Sequence, residues 1–250
     1  MKTVKMRDLT IGTGCPKVIV PIVAKDLPGI LAKANELTAC TMDVVEWRVD
    51  FFEKMKEKSA VEGMLQELSN VLGDIPLLFT LRTDREGSST HVETKEYEEI
   101  LCHAAACPET DLIDVEVMPD PFCAAAIIDT AHTHGTPVIG SNHHFEGTPS
   151  NEEIDCIFSC MEKAGADILK MAVMPADRRD VVRMMERTLT WKEKTDRPLI
   201  TMSMGALGCV SRMCGELTGS SVTFASVTAA SAPGQIDMAS LKNILHILHN

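Results

Sequence analysis

The sequence predicts an eight-stranded α/β fold, a (β/α)8 TIM barrel with a short N-terminal hairpin closing the barrel bottom. Three observations carry this prediction. Short apolar strands alternate with amphipathic helical stretches along the whole chain. The strands begin about 22 to 35 residues apart, the length of one βα unit. No linker, low-complexity segment or break in composition interrupts the alternation, so residues 1–250 are expected to form one catalytic domain.

The expected strands are Val18–Val23, Val44–Asp50, Leu77–Arg82, Leu112–Val117, Pro137–His143, Ile168–Met174, Leu199–Met204 and Val222–Val227. Helical patterns fill the gaps. Leu27–Leu37 has Pro28 in its first turn, where a missing N–H costs nothing. Ser59–Leu72 sets Val61, Met64, Leu65, Leu68 and Leu72 on one face. Ser150 and Glu153 have the spacing of a capping box, and the helix they open is expected to stop near Gly165. Asp180–Thr190 and Met238–His249 are also amphipathic. The first 14 residues fall outside the eightfold count and are assigned to the hairpin. An open doubly wound sheet is the rival architecture. No GxGxxG follows the first strand, which argues against its dinucleotide-binding form.

Composition narrows the function. The chain has 250 residues, 45% of them apolar and 24% charged, with a formal net charge of -12. That charge disfavours nucleic acid, which needs many phosphate-neutralising cations, and it provides no basic face for a membrane surface. A few convergent cations can still make one cleft attractive to an anion. The nine cysteines lie mostly in apolar stretches without metal-binding spacing, as expected of reduced thiols in a cytoplasmic protein. The opening stretch MKTVKMRDLT has no apolar run, so neither a secretory signal nor a membrane span is expected.

The informative residues are polar ones in strands whose neighbours are apolar. Strand side chains alternate in direction, and in a barrel one set points inward. In the second strand Glu46, Arg48 and Asp50 share a face, a costly arrangement unless the charges are paired or used. The third strand ends in Arg82, with Glu86 just beyond. Asp114 and Glu116 are in phase, as are Ser141 and His143, and Met202 and Met204. These positions lie toward C-terminal strand ends, where barrel enzymes hold their active sites.

Lys170 has aliphatic neighbours in the sixth strand. Burial disfavours an ammonium, and a neutral amine is the nucleophile that forms a Schiff base. The competing reading is an ion pair with an inward carboxylate such as Glu46 or Asp114. His143 and His144 must point to opposite sides, and register decides which faces inward. Arg212, placed near the start of a helical stretch after Gly205–Gly208, presents a fork suited to a carboxylate. The turn-like Ser231–Gln235 loop is expected to close over a ligand.

Glu46-Trp47-Arg48, Ser141 to Phe145, Leu169 to Pro175, Met202 to Gly205 and Ser231 to Gln235 together resemble the type I 3-dehydroquinate dehydratases. The likeness runs in order over nearly the whole chain. It implies dehydration of 3-dehydroquinate to 3-dehydroshikimate in the shikimate pathway, by a cytoplasmic homodimer needing no metal or organic cofactor. It implies Lys170 as the Schiff-base lysine, His143 as acid/base and Glu86 as its support. Glu46, Arg48, Arg82, Met202, Met204, Arg212, Ser231 and Gln235 match the family's substrate-binding positions. Other readings are a Schiff-base aldolase, a metal-dependent hydrolase built on His143, His144, Asp114 and Glu116, and a barrel that binds an acid without turnover. The aldolase would need a phosphate site, for which Gly205–Gly208 is the candidate.

Overall fold

The computed structural model describes residues 2–227 and 232–249. Eight parallel strands form the barrel: β3 (Lys17–Ile22), β4 (Val44–Arg48), β5 (Leu77–Thr80), β6 (Leu112–Glu116), β7 (Val138–His144), β8 (Ile168–Val173), β9 (Leu199–Ser203) and β10 (Val222–Ser226). Each pairs in parallel with its predecessor from β4 to β9, and β10 pairs with β3. A parallel bridge between Leu199 and Ser220 brings β9 against the approach to β10 and closes the ring.

The helices α1 (Leu27–Thr38), α2 (Lys58–Leu72), α3 (Thr94–Ala106), α4 (Pro121–Thr133), α5 (Asn151–Lys163) and α6 (Arg178–Lys194) lie between strands in sequence, and α9 (Met238–His249) follows the last strand. Between β9 and β10 lie the four-residue α7 (Gly205–Gly208) and α8 (Gly215–Thr218), joined by a 3-10 turn. A two-residue strand, β11 (Ile236–Asp237), adds to the top of β10, which the sequence pattern does not indicate.

Local chemistry explains the helices. The predicted face of α2 is buried: Val61, Met64, Leu65, Leu68 and Leu72. Fully burying such side chains contributes about 1.5–3 kcal/mol each. The α5 capping box is formed in both directions, Ser150 Oγ accepting from Glu153 N and Glu153 Oε2 from Ser150 N. Removing a cap of this kind costs roughly 0.5–2 kcal/mol. The strand faces pointing out are apolar too. Trp47 meets Phe79 edge to face at 5.5 Å, between β4 and β5. At Gly140 on β7 an added Cβ would stand 2.6 Å from the Ala166 Cβ, so glycine permits the close approach there.

The inward faces form layers. The bottom layer is apolar and contains Ile19, Val44, Leu78, Leu112, Ile139, Ile168, Ile200 and Val222. The hairpin β1 (Val4–Met6) and β2 (Leu9–Ile11) adds Val4, Met6 and Ile11 to this cluster, so it closes the bottom as the sequence predicts. Arg7 turns the hairpin with φ 48° and pairs with Asp111 at 2.8 Å. Asp43, Asp111 and Asp167 accept the N–H groups of Val18, Leu77 and Val138, fixing three strand starts at this end. The polar inward residues begin one layer up. Among the described residues, no helix is long and apolar enough to cross a membrane.

Candidate active site

A cavity of about 360 Å³ opens at the C-terminal end of the strands. Its size lies in the range of small-ligand sites. Glu46, Arg48, Arg82, Glu86, His143, Lys170, Met202, Met204, Arg212 and Gln235 all line it. Ser231 lies outside the described residues. Phe145, the last residue of the Ser141 to Phe145 motif, supplies apolar wall, as do Phe51 and Phe224, which motif matching did not single out.

Lys170 is buried and projects from β8. Its Nζ donates to Asp114 Oδ2 at 2.7 Å and stands 4.7 Å above the Phe224 ring. Of the two carboxylates the sequence left open as partners, Asp114 is therefore the one bonded. The picture of a lysine stranded among aliphatic neighbours is corrected by this contact. β6 turns Asp114 inward toward the amine, across the strand between them. Register sets Ser141 beside Lys170 and His143 beside Ala172, so amine and imidazole occupy adjacent strands one inward layer apart.

Register also settles the histidines. His143 points into the cavity, and its Nδ1 lies 2.7 Å from Glu86 Oε2. His144 turns away and is half-buried. Burial, with the charges of Arg82 and Lys170, pushes the His143 imidazole well below its ordinary pKa. Burial also raises the Glu86 carboxyl, assisted by Glu116 and Asp114 and opposed by Arg82. Asn142 holds the other Glu86 oxygen, Nδ2 donating to Oε1 at 3.1 Å. Asn142 was missed in the sequence because alternation sends it away from the cavity, although its amide reaches back to Glu86 from behind.

Arg82 knits the carboxylates together. It donates to Asp114 Oδ1 at 2.7 Å, Glu116 Oε1 at 3.0 Å and Ser141 Oγ at 3.1 Å. Burial works against the Asp114 charge, but Arg82 and Lys170 outweigh it and hold that carboxyl well below the usual range. The same carboxylates outweigh burial at Arg82 and keep it firmly charged. Glu46 accepts from Thr80 Oγ1 at 2.9 Å, and Arg48 forms a two-pronged pair with Asp50 at 2.7 and 2.8 Å. Asp50, which the sequence pattern places on the inward face of that strand, sits instead in the 3-10 turn Val49–Phe51 after it, because the strand stops at Arg48, and its charge is neutralised by Arg48.

Arg212 differs from expectation in its local structure. It ends the 3-10 turn Cys209–Arg212 and does not begin a helix, so no helix N-terminus adds its field there. It is nonetheless buried against the cavity, donating to Met202 Sδ at 3.3 Å and Pro233 O at 3.1 Å. Its Nε is buried without a partner, and burial lowers its pKa to about 10. A guanidinium this poorly compensated favours an incoming anion. Gly205 N donates to Pro233 O, so this N–H is not free to cradle a phosphate, as the aldolase reading would require.

Taken together, the closed parallel ring and the amine and imidazole in its upper mouth define a barrel enzyme of the amine–carbonyl type. The family model for type I 3-dehydroquinase matches residues 18–250. The chain belongs to that family. It is 44% identical over 250 residues to a 3-dehydroquinate dehydratase of Syntrophotalea carbinolica, covering all of this chain and 99% of the relative. It is 42% identical over 249 residues to one of Listeria welshimeri, with the same coverage. Among solved structures, the type I enzyme of Clostridium difficile with covalently modified comenic acid superposes with TM-score 0.96 at 40% identity, covering 99% of this chain and 98% of that one.

Proposed function

We propose that this chain is a hydro-lyase that converts 3-dehydroquinate to 3-dehydroshikimate and water through an imine on Lys170. The observation that carries the reading is the shared cavity of Lys170 and His143, closed below by an apolar layer and edged by the under-compensated Arg212.

Lys170 must shed a proton before it attacks. Asp114 is a weak base because Arg82 stabilises its charge and lowers its pKa. The neutral His143 is the base that burial leaves available. The amine adds to the ketone carbon, and His143 returns its proton to the carbinolamine hydroxyl, which leaves as water and gives the protonated imine beside a neutral ring. That cation is an electron sink for the adjacent carbon, which lowers the cost of removing its proton. His143 takes the proton, with Glu86 orienting the ring through Nδ1. The resulting enamine expels the β-hydroxyl, which leaves as water with the proton returned by His143. Hydrolysis of the imine releases product and restores the amine. Arg212 binds the substrate carboxylate. Glu46, Arg48 and Gln235 take hydroxyls, Arg82 keeps the inner carboxylates in place, and Met202 and Met204 pack against the ring. Ser231 joins the substrate contacts as a matched family position.

The working form is proposed to be a cytoplasmic homodimer that binds neither nucleic acid nor membrane. All nine cysteines are unpaired, which suits a reducing compartment. Exposed Val182, Leu189, Leu207 and Leu217 on α6, α7 and α8 suit a subunit contact. Borohydride added with 3-dehydroquinate should leave a reduced adduct on Lys170, located by peptide mass spectrometry and lost in Lys170→Ala. Turnover in Lys170→Ala, or an adduct on another residue, would reject the mechanism.

A further inference from the structure

We infer that Glu62, His103 and Cys107 form a binding site for a borderline divalent cation, zinc(II) being the metal that suits their chemistry, on the outer helical layer and away from the catalytic cavity. One oxygen, one nitrogen and one sulfur atom from these residues all lie within 4.8 Å of one another. None of the three lines the cavity.

The ligand set follows from helix geometry. His103 is in the last turn of α3, and Cys107 follows four residues later at its C-cap, so both project from one face. Glu62 comes from α2. Tetrahedral zinc takes thiolate at about 2.3 Å and imidazole or carboxylate at about 2.0–2.2 Å, so the donors need to draw in only modestly. Three protein ligands leave a fourth position for water.

A second observation points at a ligand. His103 Nε2 is buried without a hydrogen-bond partner. Glu62 Oε1 stands 3.2 Å from it yet misses the alignment of a hydrogen bond. A buried polar atom left in this way is costly, and a metal bond satisfies it. The Cys107 thiol donates to His103 O at 3.4 Å, a weak hydrogen bond. Burial and the charges of Glu62 and Glu109 keep it protonated. A cation reverses that electrostatic balance: the S–H bond breaks, its proton passes to solvent, and the sulfur lone pair binds the metal.

Cobalt(II) is a suitable probe because thiolate ligation gives it a near-ultraviolet charge-transfer band. Titration of the chelator-treated full-length protein should produce that band at one equivalent. Zinc(II) should displace it. Cys107→Ser should abolish the band, and His103→Gln and Glu62→Gln should weaken binding tenfold or more. Zinc(II) should raise the melting temperature of the parent protein and not of Cys107→Ser. Dehydration of 3-dehydroquinate by the variants shows that they remain folded. No band in the parent protein, or a band that survives Cys107→Ser because other thiols carry it, overturns the assignment.

Discussion

His143 Nδ1 and Glu86 Oε2 stand 2.7 Å apart, with the carboxylate almost wholly shielded from solvent and the ring nearly so. With Nδ1–H donating to Glu86, Nε2 keeps its lone pair for the cavity. Replacing Glu86 with Ala should lower kcat by about 10²-fold or more, since a misplaced or wrongly protonated imidazole loses most of its acid/base contribution. KM should change little, and borohydride capture on Lys170 should persist. Wild-type turnover by Glu86→Ala would remove the carboxylate from the catalytic unit.

The depressed pKa of His143 predicts a pH profile. Burial and the nearby positive charges of Arg82 and Lys170 keep the ring neutral to lower pH than usual. The acidic limb of kcat/KM should therefore fall below pH ~6.5, the ordinary imidazole value. Initial rates between pH 8 and 5, in buffers of constant ionic strength, locate it. A midpoint above the ordinary value contradicts the neutral-ring picture.

Asp114 is bonded to both Arg82 and Lys170 at 2.7 Å. Asp114→Asn keeps the shape but leaves two buried cations short of a counter-charge, so it should destabilise the fold by about 3–5 kcal/mol. Urea denaturation at pH 7 measures this. The carboxyl is held below its unfolded value. Its contribution is therefore complete above pH ~4, near the unfolded carboxyl pKa, and is lost as pH falls from there toward the folded value. The gap between parent and variant should narrow over that window. A gap that widens on acidification has the wrong sign.

Gly87 sits against the Phe145 ring with φ 90°, and a Cβ added there would fall 2.1 Å from the ring. Gly87→Ala is thus strained in its backbone and pushes an aromatic wall of the cavity. The expected result is a fall in kcat/KM of about tenfold or more, since small misplacements near a site are costly. Gly87→Ala paired with Phe145→Ala should recover part of the loss. No recovery in the double variant would show that backbone strain alone is responsible.

Much of the barrel could be read from period-two and period-3.6 patterns because burial enforces both. The inward phase of Glu46 and Arg48 and of Met202 and Met204, which line the cavity, and of Asp114 and Glu116, which meet Arg82, emerged for the same reason. What stayed hidden depends on stagger between strands or on irregular backbone. Whether Lys170 bonds Glu46 or Asp114, and which of His143 and His144 faces inward, is a matter of register. The Asn142 amide reaches Glu86 from a position that alternation assigns to the other face. Arg212 closes a 3-10 turn in a Gly-containing segment whose pattern resembles a helix start.

The hairpin of Val4, Met6 and Ile11 stoppers the vessel opposite its mouth. Among the described residues, that end offers no passage, so arrival and departure are left to the mouth above the strands, and a spent molecule must clear it before the next is admitted. At high product concentration, occupancy becomes a queue at that doorway.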